Sequence, residues 1–311
     1  MMKILCIGDL NADLLLPYGE AKRKVQNKNI DQSKPSEVTF QGGGSVANTA
    51  RILGKLDQNP YFVTDLCDDS IGSFLKEEME QMGVDMSLSV LGNNSAIVCI
   101  AVVEEDGDRI IFPWSPPQAT LPRFSKHSFE KIPMDDYLIF TGGMVLNNDT
   151  ETMQEIYNFI KTLKDNTNSK FMFDLNMRKE TYGLSDERKY YYHLYTSLAD
   201  IIVGSGEEEF LPLTEKNTMS EALHYFDKDK VIIARNGSKP VSVLTSGKEF
   251  TIECEKVKPI HTIGAGDTFN GVFIYAYLNG CSIEECVRKA NYGAGYMISH
   301  RGYLPLPDDI K

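Results

Sequence analysis

Positive charge is in short supply in this chain of 311 residues: 32 Lys and Arg stand against 44 Asp and Glu, a formal charge of −12. Nucleic acid and anionic membrane surfaces both call for a basic patch, so the balance speaks against either as a partner. It leaves room for a small anion, which a helix N-terminus can bind locally. Metal and disulfide spacings are missing too. Cys6, Cys67, Cys99, Cys254, Cys281 and Cys286 form no C-x-x-C pair and do not cluster with His, which sets aside a zinc site and a disulfide framework and reads as buried thiols in a reducing compartment. No apolar run is long enough to span a bilayer, and the opening residues meet Asp9 and Asp13 before a signal-like run develops. A cytoplasmic protein is expected. A Walker A loop is also absent, since Gly54-Lys55 runs into Leu56 without the upstream glycine.

What is present is alternation. Residues 3–8 form a short, almost wholly apolar run, the pattern of a strand buried on both faces. Residues 19–36 read as an exposed Lys-rich loop and 37–41 as a strand with one wet face. A helix is expected after Gly44, a strand at 60–64, and a helix at 71–82 closed by Gly83. Residues 96–103 and 109–114 flank Asp106-Gly107 as a β-hairpin that interrupts the alternation. From 137 onward, strands at 137–141, 170–174, 201–203 and 231–234 alternate with helices at 150–164, 186–198 and 207–226. A second hairpin turns at Ser246-Gly247. A helix starting near Asp267 follows, and Ser282 with Glu285 makes a capping box for a last one reaching Ser299. The expected fold class is α/β: a doubly wound, mostly parallel sheet with helices on both faces, plus a small β lid.

Five places carry candidate chemistry. In Gly264-Ala265-Gly266-Asp267 almost no side chain covers the backbone at a helix start, so free N–H groups can face an anion; Asp267 serves equally as a helix cap. Gly42-x-Gly44-x-x-Ala47 fits a relaxed dinucleotide fingerprint, with Asp65 placed as a ribose-binding acid. Asn11 and Asp13 follow a core strand, where they suit a turn or the hydroxyls of a polyol. Arg178, in Asp174-x-Asn176-x-Arg178, suits a surface ion pair or phosphate oxygens. Glu209 belongs to an acidic helix start that can turn one member toward a metal.

Taken together, Asn11/Asp13, Gly43-Gly44-x-x-Ala47-Asn48, Asp174-x-Asn176-x-Arg178, Glu209 and Gly264-Ala265-Gly266-Asp267 resemble, in order and spacing, the ribokinase-like (PfkB) carbohydrate kinases, over 3–307. The resemblance implies one ribokinase-like domain over 1–311, its lid built from about 12–18, 36–42 and 95–115. It implies an ATP-dependent kinase acting on a hydroxyl of a small ribose- or fructose-like sugar. Asp267 would be the base, and the amides of Gly264, Ala265 and Gly266 would hold the developing charge. Asn11, Asp13, Gly43, Gly44 and Asn48 would hold the sugar. Asn176, Arg178, Glu209, Arg235, Gly237 and Asn291 would fall on the nucleotide side, with Asn291 beside the adenine and Glu209 reaching Mg²⁺ through water.

The departures are specific. His261 stands where the family usually has Asp, and Gly302-Tyr303-Leu304-Pro305-Leu306-Pro307 lacks a serine, so a monovalent-cation site is doubtful. Gly206 replaces an expected Asn, and Arg235 a small hydroxyl residue; Arg235 can meet the nucleotide or point to solvent. The expected partners are a sugar and ATP, with a homodimer through the lid edge possible. A nucleoside kinase of the same fold is the nearest alternative, with Phe112 and Trp114 as an aromatic platform. An NAD-binding oxidoreductase or a non-catalytic sugar-binding regulator stands further off.

Overall fold

A computed structural model describes residues 2–16, 38–92, 96–103, 109–114, 124 and 127–311. The expected loop at 19–36, the turn Asp106-Gly107 and the side chains of Phe112 and Trp114 lie outside the described residues.

Eight strands form the main sheet: β1 (Lys3–Ile7), β4 (Tyr61–Val63), β9 (Tyr137–Gly142), β10 (Lys170–Asp174), β11 (Ile201–Ser205), β12 (Val231–Asn236), β13 (Lys239–Thr245) and β14 (Lys248–Ile252). Their order is β14-β13-β12-β11-β10-β9-β1-β4, parallel from β12 to β4 and antiparallel at the β12–β13–β14 edge. Alternate residues of a strand face opposite sides, and the central strands obey this. Ile4, Cys6, Leu138, Phe140 and Met172 enter one buried cluster. Leu5, Ile7, Ile139, Phe171 and Phe173 enter another.

Helices cover both clusters. On the first side lie α1 (Ser45–Lys55), α5 (Ala265–Leu278) and α6 (Ile283–Ser299), contributing Ala50, Leu53, Phe269, Val272, Phe273 and Val287. On the other lie α3 (Thr150–Asn166) and α4 (Asp186–Leu198), contributing Ile156, Ile160, Tyr192 and Tyr195. The spacing of 269, 272, 273 and 276 is the helical i, i+3, i+4, i+7, and all four residues are buried. Truncating such a phenylalanine to alanine costs about 3–5 kcal/mol, so this row anchors α5 firmly.

The chain begins at β1, steps to β4 on one side, and later resumes at β9 on the other. The carboxyl ends of β1 and β9 therefore border the crevice where ligands bind in open α/β sheets. A smaller sheet, ordered β3-β2-β7-β8, is built from β2 (Asn11–Leu16), β3 (Thr39–Gly43), β7 (Val98–Val103) and β8 (Arg109–Trp114).

Three local expectations change. The helix expected at 207–226 is broken into pieces at Gly206–Phe210, Leu211–Thr214 and Met219–Leu223. Glu215, left-handed at φ 55°, ends the run after Thr214, and a Thr218–Glu221 capping box restarts the last piece. Helix α5 begins at Ala265, ahead of Asp267, because Gly264 serves as its N-cap. A two-stranded sheet of β5 (Asp65–Cys67) and β6 (Val90–Gly92) was not anticipated from the sequence.

Candidate active site

The glycine-poised start of α5 is open. Gly264 has φ 80°, a left-handed conformation that glycine adopts without a Cβ penalty. Thr268 N–H bonds back to the Gly264 carbonyl at 2.8 Å, but among the described residues no group accepts from the amides of Gly266 or Asp267. Those amides and the positive end of the helix dipole form a cradle for an anion.

Asp267 leaves this first turn toward α1. Ser45 Oγ donates to its Oδ1 and Asn48 Nδ2 to its Oδ2, each at 2.9 Å. Burial pushes the Asp267 carboxyl up to about 6, while Asn48, Ser45 and the Arg178 guanidinium pull it down. A raised value was not required by the sequence reading; it follows from sinking the carboxylate between two helix ends. Asp13 is likewise pushed to about 6 by burial, with Asp9 and Asp267 adding to the rise. Asn11 Nδ2 donates to Asp13 Oδ1 at 2.7 Å. A Cβ on Gly43 would come 2.3 Å from that same Oδ1, so only glycine leaves room for the acid. Asn11, Asp13, Gly43, Gly44, Asn48 and Asp267 thus share one cleft, and Arg178 lies near enough to Asp9 and Asp267 to lower both carboxyls.

Several residues of this site escaped the sequence reading. Asp9 accepts from the amides of Ser45 (2.8 Å) and Val46 (3.3 Å), filling the N-terminus of α1 with a carboxylate of the protein's own. Arg51, fully buried, donates to Asn48 Oδ1 at 3.0 Å and the Gly43 carbonyl at 3.3 Å and pairs with Glu78 at 2.9 Å. Glu78 in turn accepts from the Gly42 amide at 3.0 Å. The chain's far end joins this brace: Tyr303 Oη donates to the Gly42 carbonyl at 2.7 Å, and Lys55 Nζ to the carbonyls of Tyr303 (2.8 Å) and Leu304 (2.9 Å). An arginine set in the apolar stretch of Ala50, Ile52 and Leu53 was the available signal.

These contacts overturn the dinucleotide reading of 42–47. The strand before it, β3, is an edge of the small sheet rather than a strand of the main one. The helix N-terminus that would receive a pyrophosphate is filled by Asp9. Asp65 belongs to the separate β5–β6 pair and accepts from Ser128.

Of the residues expected to face a nucleotide, Asn176 (φ 31°) and Arg178 (φ 47°) both take left-handed backbone, and Arg178 Nε donates to Asn176 Oδ1 at 3.0 Å. Buried Glu209 accepts from the amides of Met177 (2.5 Å) and Ser205 (2.6 Å), tying the turn after β10 to the end of β11; burial and the nearby Asp174 raise its pKa. Arg235 is engaged rather than pointing to solvent, with Nη2 2.9 Å from Asp174 Oδ1. A Cβ on Gly206 would come 3.0 Å from the Arg235 carbonyl, tighter than most real contacts. Gly237 forms an open turn at φ 58°. Asn291 lies on α6, its Nδ2 buried without a hydrogen-bond partner among the described residues. Neither Gly237 nor Asn291 hydrogen-bonds to the cleft group among the described residues. His261 joins the end of α6 through its amide, 3.4 Å from the Ile298 carbonyl.

No helix among the described residues is long and apolar enough to cross a membrane. A 5-dehydro-2-deoxygluconokinase of Halalkalibacterium halodurans is 26% identical over 297 residues, covering 91% of this chain and 89% of that protein. The structure of Vibrio cholerae fructokinase with fructose, ADP and a calcium ion superposes with a TM-score of 0.81 at 20% identity, covering 98% of this chain and 96% of that one. Aminoimidazole riboside kinase of Salmonella enterica, solved with aminoimidazole riboside and an ATP analogue, gives 0.79 at 20% identity, covering 99% and 98%. The model of the pfkB family of carbohydrate kinases matches residues 1–309; with that match running through both glycine-led helix starts, the chain belongs to the family and is a carbohydrate kinase.

Proposed function

We propose that the protein transfers the γ-phosphoryl group of ATP to a hydroxyl of a small sugar or sugar acid, with Asp267 as the general base. One observation carries this reading: a buried carboxylate sits in the same helical turn as amides that have no acceptor among the described residues. The substrate hydroxyl would give its proton to Asp267, whose remaining lone pairs are free of Ser45 and Asn48. The amides of α5 would meet the negative charge on the group in transit. Asn11 and Asp13 would accept from or donate to the other hydroxyls, and the small sheet that carries them would close over the substrate as a lid.

Arg178, close enough to Asp267 to lower its pKa, would meet either phosphate oxygens or a carboxylate on the substrate. A sugar acid therefore belongs beside neutral sugars, as the 5-dehydro-2-deoxygluconokinase relatives also suggest. Mg²⁺ would neutralise charge on the nucleotide phosphates. Each oxygen of Glu209 already accepts a backbone amide, so Glu209 would reach that ion only through water, as a hard cation that keeps its waters allows. His261 is a poor ligand for a monovalent cation, and activity would not depend on K⁺. Free thiols at all six cysteines and the acidic surface fit a cytoplasmic enzyme. Strand β3 is an edge strand with Phe40 44% exposed, a surface suited to a second copy.

The test is ATP consumption across pentoses, hexoses, sugar acids including 5-dehydro-2-deoxygluconate, and nucleosides. Turnover with a sugar or sugar acid is the expected result. Turnover only with nucleosides would move the protein to the nucleoside class, and no turnover with any acceptor would sink the reading.

A further inference from the structure

A guanidinium is locked behind the anion cradle. Arg235, at the carboxyl end of β12, gives Nη2 to both oxygens of Asp174, at 2.9 and 3.0 Å. Its Nη1 donates to the carbonyl of Gly266 at 2.9 Å and to Asn270 Oδ1 at 3.2 Å. Asn270 Nδ2 donates to Asp174 Oδ2 at 2.6 Å, closing a ring of side chains from β10, β12 and α5. The guanidinium also lies over the Phe269 ring, 5.6 Å from its centroid. The Arg235 side chain is 15% exposed and that of Asp174 only 4%.

Nη1 is spent on the Gly266 carbonyl and Asn270, and Nη2 turns one hydrogen to both oxygens of Asp174, so these bonds aim the end of the guanidinium at acceptors of the protein itself. The Gly266 carbonyl, by contrast, belongs to the same planar trans peptide as the Asp267 amide, with the oxygen and the hydrogen pointing opposite ways. Gripping the oxygen from behind aims the N–H forward, and it fixes the Cα from which the Asp267 carboxylate springs.

We propose that Arg235 is a positioning residue for phosphoryl transfer, holding the Gly266–Asp267 peptide against Asp174 so that the amide and the base keep their aim, and that it is not a ligand of the nucleotide. The proposal rests on the kinase reading. A cation bonded to the carbonyl also polarises that peptide and makes its N–H a better donor. Removing Arg235 alone would strand a buried carboxylate, so the informative variant is Arg235→Met with Asp174→Asn, alongside Arg235→Lys, which keeps the charge and one contact.

In steady-state kinetics with ATP and the best acceptor from the panel, the double variant is expected to lose kcat roughly 10- to 100-fold with KM for ATP little changed. Arg235→Lys should recover part of that loss. Amide hydrogen exchange over 265–268 should speed up in the double variant. Unchanged kcat in a folded double variant would overturn the proposal, as would unchanged exchange. A raised KM for ATP with kcat intact would overturn it in favour of a nucleotide ligand. A wild type that consumes no ATP would overturn both this proposal and the kinase reading, and it is told apart because the wild type alone reveals it.

Discussion

Two helices in this protein begin in the same way and do opposite things. α1 and α5 each follow a glycine with positive φ, 98° at Gly44 and 80° at Gly264, and neither glycine has a side chain to cap its helix. At α1 the exposed amides of Ser45 and Val46 are taken by Asp9, which follows β1. At α5 no carboxylate arrives, and the amides of Gly266 and Asp267 stay free among the described residues. One N-terminus carries its own anion; the other is left for a visitor. The same local geometry becomes structure or chemistry according to what a distant strand delivers to it. The plugged helix then serves the open one, because Ser45 and Asn48 project from its first turn onto Asp267.

The largest blow to this contrast should come from Asp267→Asn. We expect kcat to fall by roughly 10²–10⁴, with the far-ultraviolet circular dichroism spectrum unchanged; wild-type turnover in that variant would remove Asp267 from the role of base. The same variant should be the more stable one at high pH. The folded pKa of about 6 exceeds the ordinary value of 3.8, so the native state binds this proton more tightly than the unfolded chain. Above pH 6 the buried charge costs stability, and the cost fades as pH falls through 6 toward 4. The thermal midpoint of Asp267→Asn should therefore exceed that of the wild type at pH 8, by a margin that shrinks at pH 5.

Unplugging the other helix should act on the fold first. Asp9→Ala leaves the Ser45 and Val46 amides without an acceptor and should cost about 0.5–2 kcal/mol in urea unfolding. Equal stability would mean that water or a neighbour caps α1 just as well. Ser45→Ala is gentler. The Ser45 hydroxyl lowers the Asp267 pKa, so its loss should move the acidic limb of kcat/KM upward in pH from the wild-type position near 6; an unmoved limb would detach Ser45 from the base. The smallest effect concerns the loop leading into α5. With His261 there, exchanging K⁺ for Na⁺ or choline should leave turnover nearly constant, and several-fold activation by K⁺ would contradict that.

Periodic features were legible in the sequence. The helix at 186–198, the capping box at Ser282 and Glu285, and the buried row at 269, 272, 273 and 276 all express local spacing, and all are present. The glycine-led starts of α1 and α5 were legible for the same reason, although which would be open was not. That choice depends on Asp9 meeting Ser45 across 36 positions. The Arg51–Glu78 brace and the Arg235–Asp174 pair span comparable or longer gaps. An isolated arginine in a sequence carries no mark of the carboxylate it will find. The expected helix at 207–226 stops where Glu215 turns left-handed at φ 55° and restarts at the Thr218 cap, a break that spacing alone does not mark.

The contacts of Tyr303 and Lys55 have a consequence in time. Gly42, beside the acids of the cleft, is held by a hydroxyl 261 positions later in the chain, and Asp267 meets its two donors across 222 and 219 positions. Contacts this remote close only after large loops have been ordered. A nascent chain therefore exposes Gly42, Ser45 and Asn48 long before Asp267 and Tyr303 are made to meet them. Gly42 is fastened only once Tyr303 has been made and has folded back onto it.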